Sequence, residues 1–284
     1  MSKNTLKTML LLSALGGLFI VGGGVIGGNS GAVFGLALGL IFVGGSYWFS
    51  DRIAVASARA REVSEAEAPQ LYSMVMGIAQ RANMPMPKLY ISPMEQPNAF
   101  ATGRSPSKGV VCVTQGILQV LEPAELEGVL AHEMAHVRNR DVLISSVAAA
   151  IAMAITFVAR MAMWGAMFGG GRDDDRGANP IALLAMMILA PLAAMIIQMA
   201  ISRSREFEAD RTGAHILGQG EPLARALEKI EAYAKRVPAD VNPAQASMYI
   251  INPLTGRKVN FANLFSTHPP TEERVRRLRS QVSP

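Results

Sequence analysis

The sequence predicts an α+β protein that is mainly helical and carries four transmembrane helices. Half of its 284 residues are hydrophobic and only 17% are charged, a composition that leans toward membrane proteins. Four stretches are long enough and apolar enough to span a bilayer, which needs about 20 residues. Elsewhere helical spacing dominates, and only two short runs resemble strands. The four apolar stretches cover approximately 9–26, 32–49, 142–164 and 181–201.

The first two apolar stretches predict an N-terminal helical hairpin, which we bound at 1–50. A signal peptide is the alternative for the first stretch, but the second follows after only a Gly/Asn/Ser turn at 27–31. Gly35 and Gly39 form a G-x-x-x-G pair on the second stretch, a spacing that allows close contact between helices. The chain is therefore expected to cross the bilayer and return at once.

Basic residues set the expected orientation of the four spans. They precede the first and third stretches and follow the second and fourth, so both termini are predicted to be cytoplasmic. The last two stretches then form a second hairpin, 142–201, inserted into a cytoplasmic domain made of 51–141 and 202–284. Buried soluble helices are the alternative for the third and fourth stretches. The flanking basic residues are Lys3, Lys7, Arg52, Arg59, Arg61, Arg138, Arg140, Arg203 and Arg205.

The cytoplasmic part predicts a small sheet within a helical domain. Helical spacing runs from Ala68 to Ala82, and two short strands are predicted at 88–91 and 110–113. Between the strands, 97–103 reads as an extended piece that ends in a turn. Glu122 and Pro123 then open a long helix, since proline fits the first helical turn.

The C-terminal tail and the single cysteine are predicted to have structural roles. A last helix over 271–281 has acidic residues in its first turn and basic residues later, as the helix dipole favours. Its basic residues are expected to form a solvated or lipid-facing surface, and no nucleic-acid partner is expected. Cys112 has Val on both sides, which favours core packing, and one cysteine allows no intrachain disulfide.

The sequence His132-Glu133-Met134-Ala135-His136 is the most informative motif of the chain. Residues four apart lie on one face of a helix, one turn apart, so both imidazoles can bind the same zinc ion. Glu133, on the turn between them, can take a proton from a water that the metal activates. The motif predicts metal-assisted hydrolysis.

A catalytic zinc usually takes three protein ligands, so a third donor is required. At about 100° per residue, Glu206 and Asp210 share one helix face, while Glu208 and His215 are rotated by roughly 180–200° from Glu206. Glu206 is therefore predicted as the third ligand. Asp210 is predicted to accept a hydrogen bond from one of the two ligand imidazoles. An exposed, salt-bridged helix end is the alternative for this segment.

Four motifs together resemble the HtpX family of membrane-embedded zinc metalloproteases, which are related to CAAX prenyl-protein endopeptidases. The resemblance covers nearly the whole chain, including the four apolar stretches and their order. The motifs are H-E-M-A-H at 132–136, S-R-S-R-E-F-E-A-D at 202–210, P-N-A-F-A-T-G at 97–103 and T-H-P-P at 267–270.

The resemblance implies a cytoplasmic metalloprotease domain of the zincin type, similar to gluzincins, in the bacterial inner membrane. It implies one Zn²⁺ per chain, bound by His132, His136 and Glu206, with Glu133 as the general base. The expected substrates are polypeptides, chiefly misfolded or damaged membrane proteins, and the expected setting is envelope quality control under stress.

Two further site predictions are less direct. The resemblance implies that Asn98, Ala99, Phe100 and Ala101 form an edge strand that pairs with the substrate backbone, which makes physical sense because main-chain pairing accepts many sequences. A plain turn former is the alternative for Asn98. His268 is hypothesised to lie near the zinc and to stabilise the oxyanion. A capping or packing histidine is the alternative.

Two rival functions stay open at this level. One is a catalytically inactive membrane scaffold that keeps zinc for structure, although such a site has no use for Glu133. The other is a transporter or channel, which the apolar stretches disfavour because they contain no Asp, Glu or His.

Overall fold

The structure is a computed structural model that describes residues 3–103, 105–139, 141, 203–237, 249–251 and 269–280. The third and fourth apolar stretches and His268 lie outside the described residues. The chain divides into two compact units, the first made of 1–48 with 144–200 and the second of 49–143 with 201–284.

The first helix, α1, covers Lys3–Ser57, but it reverses direction within this range. Gly28 has a φ of +58°, which glycine adopts at little cost. A Cβ built on Gly39 would lie 3.1 Å from the Cβ of Phe19, and one built on Gly35 would meet the carbonyl of Phe19. A straight helix would separate residues 19 and 39 by about 30 Å. The two arms of α1 therefore lie side by side.

None of the helices within the described residues is long and apolar enough to cross a membrane.

The second unit contains a mixed four-stranded sheet of order β1-β2-β4-β3. Strands β2 and β4 are parallel, whereas β1 pairs with β2 and β3 pairs with β4 in antiparallel fashion. Within the part of the chain that the structure describes, β3 is an edge strand. The strands are β1 Arg61–Glu62, β2 Lys88–Ser92, β3 Ala99–Thr102 and β4 Val110–Thr114.

Helices surround this sheet, so the prediction of a mainly helical protein with a small sheet is confirmed. The predicted strands at 88–91 and 110–113 are present, and the extended piece contains β3. The sequence did not predict β1, α3 or a 3₁₀ turn at Pro106–Lys108. After α1, the helices are α2 Pro69–Ala82, α3 Gln115–Val120, α4 Pro123–Asn139, α5 203–217 in its described part, α6 Glu221–Arg236 and α7 Thr271–Ser280.

Helix α4 lies at the centre of the second unit, packed against α2, α6 and β3. Most of its residues are buried, including the motif residues His132 and Glu133. Gly213 lets α5 approach it closely, since a Cβ there would lie 3.0 Å from the backbone nitrogen of His132. This close approach brings the acidic face of α5 to the H-E-x-x-H motif.

The expectation of a solvated basic tail helix is wrong for Arg274. Arg276, Arg277 and Arg279 are exposed and pair with glutamates, but the side chain of Arg274 is only 1% exposed. The physical reason is a buried carboxylate partner, Asp210, which stabilises the guanidinium inside the domain.

Candidate metal centre

Two imidazoles converge at the middle of α4. The ring centroids of His132 and His136 lie 4.7 Å apart, and their Nε2 atoms are separated by 3.2 Å. The four-residue spacing produces this geometry, because it stacks the two side chains on one helix face. Their facing nitrogens carry lone pairs only when the imidazoles are neutral, which is the form that binds metals.

Helix α5 adds a carboxylate to the pair. The Oε2 of Glu206 lies 3.5 Å from Nε2 of His132, and Oε1 lies 3.5 Å from Nε2 of His136. Glu208 points to solvent, where it pairs with Arg211, and His215 is exposed. The structure therefore brings Glu206 to the imidazoles and leaves the other two candidate donors away from them.

The three donors fit a tetrahedral metal. Zn–N and Zn–O bonds of about 2.0–2.2 Å at the tetrahedral angle place ligand atoms roughly 3.3–3.6 Å apart. The donor atoms of His132, His136 and Glu206 all lie within 4.8 Å of one another, and the closest contacts are 3.2–3.5 Å. Burial would lower the pKa of the His132 imidazole, but Asp210 and Glu206 raise it to about 9, so the pocket attracts positive charge.

Asp210 holds the first imidazole. Its Oδ1 lies 2.9 Å from Nδ1 of His132, on the ring nitrogen that faces away from the other donors. Arg274 donates two hydrogen bonds to the same carboxylate, from Nε at 2.9 Å and from Nη2 at 2.7 Å. Burial would raise the pKa of Asp210, but the Arg274 charge and the His132 hydrogen bond lower it to about 2. Asp210 is thus a charged acceptor beside His132.

Asp141 and Arg205 are neighbours of the site that the sequence analysis did not identify. The Oδ2 of Asp141 lies 3.5 Å from Nδ1 of His136, and Nη1 of Arg205 donates to the backbone carbonyl of Asp141 at 3.2 Å. Asp141 lies five residues after His136, a spacing that does not place two residues on one helix face, so helical periodicity gave no signal for this contact. The useful signal was chemical, since a ligand imidazole needs an acceptor at its other nitrogen.

Glu133 lies on α4, on the side that faces the edge strand β3. Its side chain is buried, and Oε2 accepts a hydrogen bond of 2.8 Å from the backbone N–H of Ala101 on β3. Burial raises the pKa of this carboxyl group. The motif carboxylate and the outer edge of β3 therefore meet beside the metal donors.

The four residues of the predicted substrate strand face different ways. The carbonyl of Asn98 accepts a hydrogen bond from the backbone N–H of Thr114 on β4. In an antiparallel pair, residues that bond across the ladder alternate with residues that do not, so Phe100 bonds with Cys112. The main-chain groups of Ala99 and Ala101 therefore point toward the outer edge of the sheet. The Oδ1 of Asn98 accepts from the backbone N–H of Ile250 at 3.1 Å. Only alternate residues of β3 thus present backbone groups to a partner strand. The Phe100 side chain packs with Ala58 and Cys112 on the other side of the sheet.

The charges around the donors are unbalanced. Carboxylates outnumber guanidiniums by two among the described residues of the site, and most of these groups are buried. Buried charge of one sign is costly unless it is compensated, and a divalent cation would compensate this excess. The carboxylates belong to Glu133, Asp141, Glu206 and Asp210, and the guanidiniums to Arg205 and Arg274.

Two helix-borne imidazoles, a carboxylate from a second helix and a buried glutamate beside a sheet edge define a metallopeptidase site of the H-E-x-x-H type. The comparison with protein families agrees. The chain belongs to peptidase family M48, whose model matches residues 65–282. The protein is therefore a metalloprotease, a hydrolase of peptide bonds.

Several curated proteins are similar to this chain along nearly their whole length. A "Protease HtpX homolog" of Syntrophobacter fumaroxidans is 52% identical over 278 residues, covering 96% of this chain and 98% of the relative. Those of Pelotomaculum thermopropionicum and Syntrophotalea carbinolica are 52% and 53% identical, each covering 98% of this chain and 99% of the relative.

One solved structure shows the same fold. The crystal structure of Ste24p from S. mikatae aligns with a TM-score of 0.53 at 18% identity and covers 97% of this chain. This chain spans 65% of the length of that longer protein.

Proposed function

We propose that the protein is a zinc-dependent membrane endopeptidase that cleaves misfolded or damaged membrane proteins. The observation that carries the proposal is the convergence of two imidazoles and Glu206 at 3.2–3.5 Å, with Glu133 beside them at the edge of the sheet. His132, His136 and Glu206 would hold the metal, and Asp210 would orient His132.

A Zn²⁺ ion bound at these donors would polarise the scissile carbonyl and lower the pKa of water at the site toward ~7. Glu133 takes a proton from that water and later delivers it to the leaving amine. The raised pKa of Glu133, caused by burial, suits a group that must both accept and release a proton. The N–H of Ala101 holds its carboxylate in place between these two steps.

The substrate would bind as an added strand along the outer edge of β3. The main-chain groups of Ala99 and the carbonyl of Ala101 would pair with an extended peptide at that edge, beside Glu133 and the metal donors, because the N–H of Ala101 already bonds Glu133. Asn98 would support the strand from its end by holding Ile250, and Phe100 would anchor it from behind. Binding through main-chain groups accepts many side chains, which fits damaged proteins as substrates.

We propose a multi-pass protein of the inner membrane, with four spans and with the active site and both termini in the cytoplasm. The domains would be a hairpin at 1–50, a second hairpin at 142–201, and a protease domain made of 51–141 and 202–284. The arms of α1 support this because their apolar side chains are exposed, a surface that water disfavours and lipid accepts. These side chains include Val21, Val33, Phe34, Leu40 and Ile41, each at least 65% exposed.

The inactive scaffold is less well supported than the enzyme. A structural zinc site usually closes around four protein donors, whereas three donors converge here among the described residues. Glu133 would also be costly to keep buried without a function, since burial of an ionisable group opposes folding.

The test is cleavage of unfolded casein by the purified protein in detergent, with zinc content measured for each variant. Glu133→Gln keeps the shape of the side chain and removes the base, so the rate should fall by about 10²–10⁴-fold. Glu127→Gln is the matched control, because Glu127 lies on the same helix and its carboxylate pairs with Arg81 at the surface. The control should cleave like the wild type, and all three proteins should bind about one zinc ion.

Three outcomes would count against the proposal. A wild type that binds zinc but cuts neither casein nor unfolded membrane proteins would favour the scaffold. Equal cleavage by Glu133→Gln would refute the assigned base. A wild type that binds no zinc would refute the metal site.

A further inference from the structure

The two candidate ligand imidazoles differ in what supports them. His132 has Asp210 at 2.9 Å from its Nδ1, and Arg274 fixes that carboxylate. A metal-binding imidazole almost always donates its other N–H to such an acceptor, which fixes the ring orientation and raises the basicity of the ligand. His136 therefore needs an equivalent partner.

Asp141 is in place to be that partner. Its Oδ2 lies 3.5 Å from Nδ1 of His136, and the residue is only 2% exposed. Asp141 is itself helical, and a spacing of five residues rotates it by about 140° from His136 on an ideal helix, so helical spacing alone does not direct its carboxylate at the imidazole. Something else must hold the carboxylate against the imidazole.

Helix α5 supplies the support. Nη1 of Arg205 donates to the backbone carbonyl of Asp141 at 3.2 Å. Arg205 is the residue before Glu206 and lies five positions before Asp210, so one helix carries the third metal donor, the acceptor for His132 and the guanidinium that holds Asp141. The same packing of α5 on α4 therefore arranges all of the donors.

We propose that Asp141 is a positioning residue that orients His136 for metal binding, and that Arg205 fixes Asp141 through its backbone carbonyl. This inference rests on the proposed metal site. With Nδ1 turned toward Asp141, Nε2 of His136 faces His132 and Glu206, at 3.2 and 3.5 Å. The contact is longer than that of Asp210 with His132, so its loss should weaken metal binding less than the loss of Asp210.

The direct readout is zinc affinity, measured by competition with a chelator. Asp141→Ala should weaken zinc binding by about 10-fold or more, within the 10–100-fold range typical of such partners. Asp141→Asn keeps a carbonyl acceptor and should recover part of that loss. The visible spectrum of the Co²⁺ protein should also change in Asp141→Ala. Glu208→Ala is the matched control, because Glu208 is an exposed acid on α5 whose carboxylate pairs with Arg211 at the surface.

A merely structural role predicts a different result. Asp141→Ala would then lower the melting temperature of the metal-free protein and leave the zinc affinity and the Co²⁺ spectrum as in the wild type. Wild-type affinity in Asp141→Ala, within threefold, would overturn the inference, even if Glu133 and zinc prove essential for cleavage. Failure of the wild type to bind zinc would instead overturn the proposed metal site itself.

A second measurement needs no variant and serves if Asp141→Ala does not fold. The chain has four histidines, so ¹⁵N labelling of histidine gives few imidazole signals in the zinc-loaded protein. His132 and His136 should both keep a slowly exchanging proton on Nδ1, and the exposed His215 gives the reference for fast exchange. Exchange at His136 as fast as at His215 would overturn the inference.

Discussion

Replacing Arg274 with alanine removes a buried cation that bonds two different elements. The guanidinium makes two hydrogen bonds to Asp210, at 2.7 and 2.9 Å, and a third of 3.0 Å to the carbonyl of Ile250, and its Nη2 also lies 3.4 Å from Nε2 of His132. It also lies 3.7 Å from a carboxylate oxygen of Glu206. Arg274→Ala would leave the Asp210 carboxylate buried without its cation.

The magnitude follows from this burial. Removing one partner of a buried ion pair costs about 3–5 kcal/mol, because the remaining charge is desolvated and uncompensated. The second unit, 49–143 with 201–284, falls in the range of 150–250 residues for which each kcal/mol shifts the melting temperature by roughly 2–4 °C, so a loss of about 6–20 °C is expected. Arg276→Ala is the matched control on the same helix, since its side chain is 73% exposed and pairs with Glu273 at the surface. An exposed pair contributes about 0–1 kcal/mol, so the control should shift the melting temperature by less than ~4 °C.

The assay is thermal unfolding followed by circular dichroism in detergent, at a fixed zinc concentration and again with excess chelator. A double variant, Arg274→Met with Asp210→Asn, removes both charges and should recover part of the lost stability, since no unpaired charge remains. Unfolding of Arg274→Ala at the same temperature as Arg276→Ala would refute the stabilising role of the buried pair. A double variant as unstable as the sum of its single changes would count against that role as well, because the two charges would then be independent.

Three further results are expected. Chelation should abolish cleavage and lower the melting temperature, because a metal at 100 times its Kd stabilises the folded state by about 2.7 kcal/mol. Readdition of zinc should restore both cleavage and melting temperature. Cleavage that survives full metal removal would contradict the proposed site. Gly213→Val should weaken zinc binding, because the added side chain meets the backbone of His132. Gly77→Ala is the control: only the end of the flexible Arg81 side chain lies nearby, so the change should be neutral or stabilising by up to ~1 kcal/mol. Equal zinc affinity in both variants would show that the close approach of α5 to α4 does not matter for metal binding. Ala101→Pro removes the N–H that bonds Glu133 but removes no ladder hydrogen bond to β4. The variant should therefore fold but lose cleavage. Wild-type activity would show that this N–H is dispensable.

The sequence was sufficient for the residues whose relation depends on one helix. His132 and His136 are four apart, and that spacing alone places both side chains on one helix face, as the Nε2 separation of 3.2 Å shows. Glu206 and Asp210 share a face of α5 by the same rule, and both point at α4. The strands β2 and β4 were also predictable, because short apolar runs between turns identify them.

Tertiary packing decided the contacts between elements that are distant in the chain. Helical spacing places Arg274 on the buried face of α7, which it shares with Thr271, Val275 and Leu278. Spacing does not explain why a cation is tolerated there; the contact with Asp210 does. No local pattern places Asp141 beside His136. The backbone carbonyl of Asp141 accepts a hydrogen bond from Arg205, which comes from another helix. A single sequence records periodicity within a helix, whereas the partner of a buried charge is fixed only when helices pack, because desolvation and pairing act across the interface between them.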